Sequence, residues 1–261
     1  MTDFSARWSE ARRVFWTGVM FLTRVPACHL ADHDPSFLAR STAIWPLLGL
    51  FLGTAAAAIF SLALWLRLPA GFAACGALAT TAILTGCFHE DALADVCDGF
   101  GGYTPQKRLE IMRDSRVGAF GVVGLVLFLG AEISLLAGFS IPHAFGALIA
   151  AHALGRWSSV FLVWRWPYVA DAASLVKPLA SHVSTLSFGT ATLWMLVALT
   201  PLGWRAWWMA LLLVGSVALL SWGAARFFRG WLGGLSGDAL GAINQLSQLL
   251  VFVEVFRFFA H

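Results

Sequence analysis

Four carboxylates fall within nine residues of this 261-residue chain, in Gly86-Cys87-Phe88-His89-Glu90-Asp91-Ala92-Leu93-Ala94-Asp95-Val96-Cys97-Asp98-Gly99. With Glu110 and Asp114 just downstream, six of the 14 acidic residues crowd into one segment. If the helix that precedes this stretch runs on through it, Asp91, Asp95 and Asp98 follow at i, i+4 and i+7 and share a face. Like charges on one face repel, whereas a hard divalent cation bound by oxygen ligands turns that repulsion into coordination. Glu90, about 100° round the helix from Asp91, is the least central of the set. The metal ligands expected are therefore Glu90, Asp91, Asp95 and Asp98. The metal expected is Mg²⁺, with Mn²⁺ as the alternative, because carboxylates without convergent histidine or thiolate do not make a zinc site. His89 reads as a structural hydrogen-bonder. A solvated acidic helix end is the plainer reading, yet no lysine or arginine within four positions neutralises these acids in a chain that is sparing with charge.

Downstream the sign reverses. Gly99, Gly101 and Gly102 make a turn, and Lys107, Arg108, Arg113 and Arg116 follow within ten residues. Membrane-surface anchoring alone would account for such a run. Beside an acidic, metal-competent face, the same residues are candidates for binding phosphate oxygens, since phosphoryl transfer needs little beyond positioning and electrostatic stabilisation. The chain has no GxxxxGK[ST] loop, so an ATPase of that type is excluded and the activated phosphate must arrive with the substrate.

The elements that position these groups are set by composition: 59% of residues are apolar and 12% charged, against about 25% charged in soluble domains. A bilayer-spanning helix takes about 20 mostly apolar residues. Seven such stretches occur, at residues 42–66, 70–88, 117–139, 142–164, 186–202, 206–222 and 239–259. The fold predicted is all-α, a polytopic transmembrane bundle of about seven spans forming a single integral membrane domain over 1–261. An N-terminal helix over the apolar run Val14 to Val25 is too short to span and reads as interfacial or re-entrant. Counting cations puts thirteen of the 17 lysines and arginines on one side, leaving Arg67, Arg205 and Arg257 opposite and Arg156 inside a span. The positive-inside rule then makes the N-terminus and the acidic and basic segment 89–116 cytoplasmic. The inner loops 89–116, 165–185 and 223–238 alone are long enough for a site. Cys28, Cys75, Cys87 and Cys97 include no CxxC pair and read as packing residues. No nucleic-acid partner is expected; the bilayer is, and an oligomer is compatible with the chain.

Within the spans, Glu132, His152, Arg156 and Glu254 are ionisable groups at a depth where charge is expensive. A structural Arg156–Glu132 pair is expected, with substrate contact as the sharper alternative. The 13 tryptophans mostly form an interfacial belt. A transporter is the rival class, because buried charges and seven spans suit one. It predicts internal repeats and a midplane site; no clear repeat is visible, and the acids gather at one membrane face.

The stretch His89 to Gly102, followed by Arg108-Leu109-Glu110-Ile111-Met112-Arg113-Asp114-Ser115-Arg116, resembles the signature of the cobalamin synthase family, the adenosylcobinamide-GDP ribazoletransferases. Phe21 to Pro26, Trp45 to Gly49 and Gly237 to Ala242 extend the likeness to both ends. Ala92 stands where that signature has glycine, and Asn244-Gln245 with Gln248 replaces a more acidic stretch. The resemblance implies an Mg²⁺-dependent enzyme of the cell inner membrane. It would join adenosylcobinamide-GDP to α-ribazole or its 5′-phosphate and release GMP, at the last stage of cobalamin assembly. In that setting Asp91, Asp95 and Asp98 hold metal, and Asp98 or Asp114 takes the acceptor proton. Lys107, Arg108, Arg113 and Arg116 face the pyrophosphate. Asp238 either completes the site or partners a helix N-terminus.

Overall fold

In lipid, an apolar stretch satisfies its backbone only by closing its own hydrogen bonds, so each of these stretches becomes a helix. In the computed structural model, which describes residues 2–27, 29–31, 34–166, 183–202 and 207–259, every regular element is helical. In chain order these are α1 (Thr2–Leu22), α2 (Pro35–Ser41), α3 (Trp45–Trp65), α4 (Ala70–Thr85), α5 (Phe88–Gly99) and α6 (Pro105–Met112), then α7 (Ala119–Ala137), α8 (Ile141–Arg165), α9 (Thr185–Ala198), α10 (Trp207–Trp231) and α11 (Gly237–Phe259). Six helical stretches among the described residues are long and apolar enough to cross a membrane, and α4 with α5 forms a seventh candidate bent by 94°. The chain is a multi-pass membrane protein.

Three boundaries differ from the sequence reading. α1 begins at Thr2, well before the apolar run, because its polar first half continues the same helix. α10 runs to Trp231, so much of the expected inner loop 223–238 is helix. Nothing breaks it before Gly233, whose φ of +89° lies in the left-handed region that glycine adopts most readily. The helix over the second apolar stretch does not run on through the acidic segment. It stops at Thr85. Lys177, Arg205, Trp204, Cys28 and most of the loop 165–185 lie outside the described residues.

α8 is the axis of the bundle. It is buried nearly throughout, as a helix apolar on all sides should be, and packs most extensively on α3 and α11. Small residues let the backbones close up: a Cβ at Gly49 would collide with the His152 carbonyl, and one at Gly53 with that of Leu148. These contacts descend α8 as they ascend α3, so the two helices are antiparallel. At one end of the bundle His143 meets Phe259 and Trp208 meets Phe258. At the other, Trp164 stacks on Phe188 and Phe100 lies against Trp231. That second end carries α5, α6 and the start of α11. Exposed Val122, Val126, Leu193, Leu196, Leu211 and Leu219 give α7, α9 and α10 apolar outer faces.

Candidate active site

The site begins at a break. Gly86 (φ +68°) and Cys87 (φ +59°) are both left-handed, which ends α4 and starts α5 in a new direction. For a non-glycine residue this conformation costs on the order of 1 kcal/mol. The segment after α1 supports the break: the Arg24 N–H donates to the Leu84 carbonyl at 2.8 Å, and the Arg24 side chain lies across Gly86 where a Cβ would otherwise be. The bend of 94° turns α5 nearly crosswise to α4 and brings its first turn beside buried charged groups. Glu90 accordingly has Arg156 and Glu132 as charged neighbours. The segment from residue 89 is therefore rooted in the bundle, not a surface loop throughout.

α5 itself supplies the face that the spacing required, without continuity with α4. Asp91 is exposed and Asp95 half-buried. The charged neighbours of Asp95 are Asp238, Asp91 and Asp98, and those of Asp238 are Asp91 and Arg113. Asp238, in the first turn of α11, thus joins Asp91 and Asp95 across the helix crossing, where Ala92 meets Gly241 in close contact. Asp95 makes no hydrogen bond among the described residues. Glu90 is set apart: it points inward, and its buried Oε2 lacks a hydrogen-bond partner there.

Asp98 is only 8% exposed, and both its oxygens are engaged. The Gly118 N–H donates to Oδ2 at 2.7 Å and the Gly121 N–H to Oδ1 at 2.8 Å. Asp98 thereby satisfies orphan donors at the start of α7, where a negative charge is also favoured by the helix dipole. Next to it opens a pocket of about 380 Å³ whose walls include Asp98, Lys107, Glu110, Asp114 and Arg116. Lys107 Nζ donates to Glu110 at 2.9 Å. Arg116 clasps Asp114 with Nε and Nη2 at 3.0 and 2.7 Å, and these hydrogen bonds push the Asp114 carboxyl down to about 2. So weak a proton acceptor is ill-matched to a base working near neutral pH.

Arg108 departs most from its expected role. Its Nε donates to the Gly102 carbonyl at 2.9 Å, its Nη1 to the Trp231 carbonyl at 2.8 Å, and the guanidinium stacks 5.0 Å from the Trp231 ring centre. It straps α6 to the end of α10. Arg113 instead stands near Asp238.

The expected Arg156–Glu132 pair does not form: among the described residues Arg156 makes no ion pair, and the charged neighbour of Glu132 is Glu90. Arg156 is 1% exposed and donates only toward its own helix, to the His152 carbonyl at 3.0 Å and His152 Nδ1 at 3.5 Å. Asn244 and Ser159, which the sequence reading did not assign to a site, lie with it around a small cavity. Their signal was faint: polar residues at Asn244, Gln245 and Gln248 within an otherwise apolar span. Cys75, Cys87 and Cys97 are free thiols; Cys97 is half-buried, but Cys75 and Cys87 are exposed, so the packing role expected of them is not seen at those two.

No three histidine, cysteine, aspartate or glutamate side chains among the described residues converge tightly enough to enclose a metal ion by themselves. The donor set of Asp91, Asp95 and Asp238 still suits Mg²⁺, which is commonly held by one or two carboxylates while water and substrate phosphates supply the rest. Hard oxygen donors crowded together without an equal number of cations fit such an ion and fit zinc poorly.

Comparison with known proteins agrees over nearly the whole chain. A family model described as cobalamin-5-phosphate synthase matches residues 14–256. Among similar proteins, the adenosylcobinamide-GDP ribazoletransferase of Ralstonia pickettii (strain 12J) is 37% identical over 247 residues, covering 93% of this chain and 94% of the relative. That of Leptothrix cholodnii is 38% identical over 251 residues, covering 92% and 94%, and that of Shewanella halifaxensis 34% identical over 256, covering 94% and 95%. No solved structure matches.

Proposed function

The chain belongs to the cobalamin-5-phosphate synthase family, and we propose that it joins adenosylcobinamide-GDP to α-ribazole or its 5′-phosphate with release of GMP. As a member of that family it is a transferase of cobalamin biosynthesis. The observation that carries the finer reading is the grouping of Asp91, Asp95 and Asp238 where α5 crosses α11, near the charged pocket whose walls include Lys107 and Arg116.

In this reading the acceptor hydroxyl oxygen bonds to the phosphorus that carries the corrinoid. The pyrophosphate bridge breaks on its other side, and GMP leaves with the electron pair. Asp95, which makes no hydrogen bond among the described residues, takes the hydroxyl proton on the carboxylate oxygen it does not lend to the metal. Lys107 and Arg116 exchange their exposed partners Glu110 and Asp114 for phosphate oxygens, an exchange made easy because surface ion pairs contribute little. Arg113 steadies the same charge from the Asp238 side, and Asp98 fixes α5 against the start of α7 so that the carboxylates keep their spacing. Mg²⁺, held by Asp91 and Asp95 with Asp238, would supply charge neutralisation on the pyrophosphate. The acidic end of the bundle faces the cytoplasm of an inner-membrane protein, a placement supported by the skew of lysine and arginine.

GMP release by purified protein in lipid, given the GDP-activated corrinoid and α-ribazole or its 5′-phosphate with and without Mg²⁺, tests the whole reading. Turnover requiring both substrates and the metal supports it. Turnover that persists after chelation removes the metal part, and absence of GMP removes the reaction. Solute uptake without GMP release would return the chain to the transporter class.

A further inference from the structure

A second cavity lies on the other side of the α5–α11 crossing, walled by α8 and by the ends of α1 and α5. Three of its polar wall groups belong to Arg156, Asn244 and Ser159, and no carboxylate lines it. Arg156 is 1% and Asn244 0% exposed, yet Arg156 Nε and Asn244 Nδ2 have no hydrogen-bond partner among the described residues. Both atoms are donors. A buried guanidinium without a contacting carboxylate is costly in a bundle interior, and Glu90, its charged neighbour, is not part of the wall. Gly237 and Gly241 add the first turn of the 23-residue α11; its Ala239 and Leu240 N–H groups are taken by Ser236, so this end favours an anion through the helix dipole. Donors in excess, one full positive charge and a helix start describe a receptor for an oxyanion.

The mouth is aromatic. Phe88, 39% exposed, meets Phe21 edge-on at 5.5 Å between ring centres, and Phe21 stacks on Trp45 at 5.3 Å. The cavity measures about 20 Å³, room for about one water. An entering phosphate must therefore push Phe21 and Phe88 aside, and the mouth closes over it. Phe88 is also one helical turn from Asp91, so a ligand anchored here would extend toward the carboxylates.

We propose that this cavity binds the phosphate monoester of the acceptor, with Arg156 and Asn244 as the residues that make the enzyme prefer a phosphorylated acceptor. The proposal rests on the reaction given above. It places donor and acceptor at opposite ends of α5, with Asp91 and Asp95 between them.

The test compares kcat/KM for GMP release with α-ribazole 5′-phosphate and with α-ribazole, in wild type, Arg156→Gln, Arg156→Lys and Asn244→Asp. A parallel arm measures thermal stabilisation by inorganic phosphate. The ratio of phosphorylated to unphosphorylated acceptor should fall at least tenfold in Arg156→Gln, chiefly through KM. Arg156→Lys should recover part of it, and stabilisation by phosphate should vanish in Arg156→Gln. Asn244→Asp brings a negative charge to the cavity and should lower the same ratio, which keeps the proposal testable if Arg156→Gln does not fold. An unchanged ratio in the variants, or equal loss with both acceptors, overturns it. So does loss of co-purifying phospholipid with the ratio intact, because the anion would then be a lipid headgroup. If wild type releases no GMP from either acceptor, the reaction assigned above fails, and with it the acceptor assignment. Stabilisation by inorganic phosphate that depends on Arg156 would then leave an oxyanion site alone.

Discussion

The two ends of α5 sit in opposite electrical settings. At its outer end charge is matched: Asp98 receives two backbone N–H groups, Asp114 is clasped by Arg116, Lys107 meets Glu110, and Arg108 is spent on two carbonyls. At its inner end the polar atoms are left over, with Glu90 Oε2, Glu132 Oε1 and Arg156 Nε buried and unpartnered among the described residues. Matched groups hold a structure together. Unmatched buried ones call for an explanation, and for the Arg156 donor the proposed acceptor phosphate supplies one. Between the two ends lies the carboxylate group of Asp91, Asp95 and Asp238, which the fold crowds together against electrostatic preference.

The largest effect should come from that middle. Asp91→Ala and Asp238→Ala should each lower GMP release by two or more orders of magnitude while inserted protein and helix content remain at wild-type levels. Loss of activity in step with loss of inserted protein would assign these acids to folding and erase the contrast with the outer end. Asp98→Ala should break stability before chemistry. Removing the acceptor of two buried N–H groups costs roughly 2–4 kcal/mol, read as a fall of several degrees in melting temperature in detergent. A variant that melts like wild type would deny Asp98 its part in holding α5 to α7.

Arg108 and Arg113 sharpen the comparison further. Arg108→Ala should cost about 1–2 kcal/mol of stability through its lost carbonyl bonds and stacking. Arg113→Ala should raise the KM for the corrinoid donor about tenfold with the melting temperature held. The reverse pattern would exchange their roles. The smallest effect belongs to Asp114. Its folded carboxyl lies near 2, below the ordinary value of about 3.9, so the Arg116 clasp stabilises the fold above pH 4 and is lost as pH falls toward 2. Both partners are solvent-exposed and screened by salt. Asp114→Asn should therefore flatten the acid limb of a melting-temperature profile slightly at low ionic strength and leave the profile unchanged at high salt.

Much of this was legible in the sequence, because spans are composition and faces are spacing. Asp91, Asp95 and Asp98 lie on one helix, as their separations of four and three residues require. What spacing could not report is direction. The left-handed pair Gly86–Cys87 turns α5 away from α4, and the glycine in Gly-Cys looks like any other until its φ is known. Nor does a run of arginines say what each of them meets: Arg108 lies beside the carbonyl of Trp231, 123 residues on, whereas Arg113, five residues further along the chain, stands near Asp238. Asp238 and Asn244 reach the site only through packing of α11 on α5 and α8. An Arg156–Glu132 pair was reasonable for two buried charges of opposite sign, but both have Glu90 as their charged neighbour instead of each other.

The measurement that bears most directly on the carboxylate group is a Mg²⁺ titration of GMP release by wild type and Asp95→Asn in lipid, with thermal stability followed alongside. Asparagine keeps the size of the side chain and removes the charge and the proton acceptor. Wild type should show saturable dependence on Mg²⁺ and gain thermal stability as the metal binds. Asp95→Asn should be at least a hundredfold slower at saturating metal and gain less stability, with its metal-free melting temperature at or above that of wild type because a like-charge repulsion is relieved. An Asp95→Asn enzyme with wild-type turnover and an unchanged Mg²⁺ response would contradict the assignment of chemistry to this face of α5.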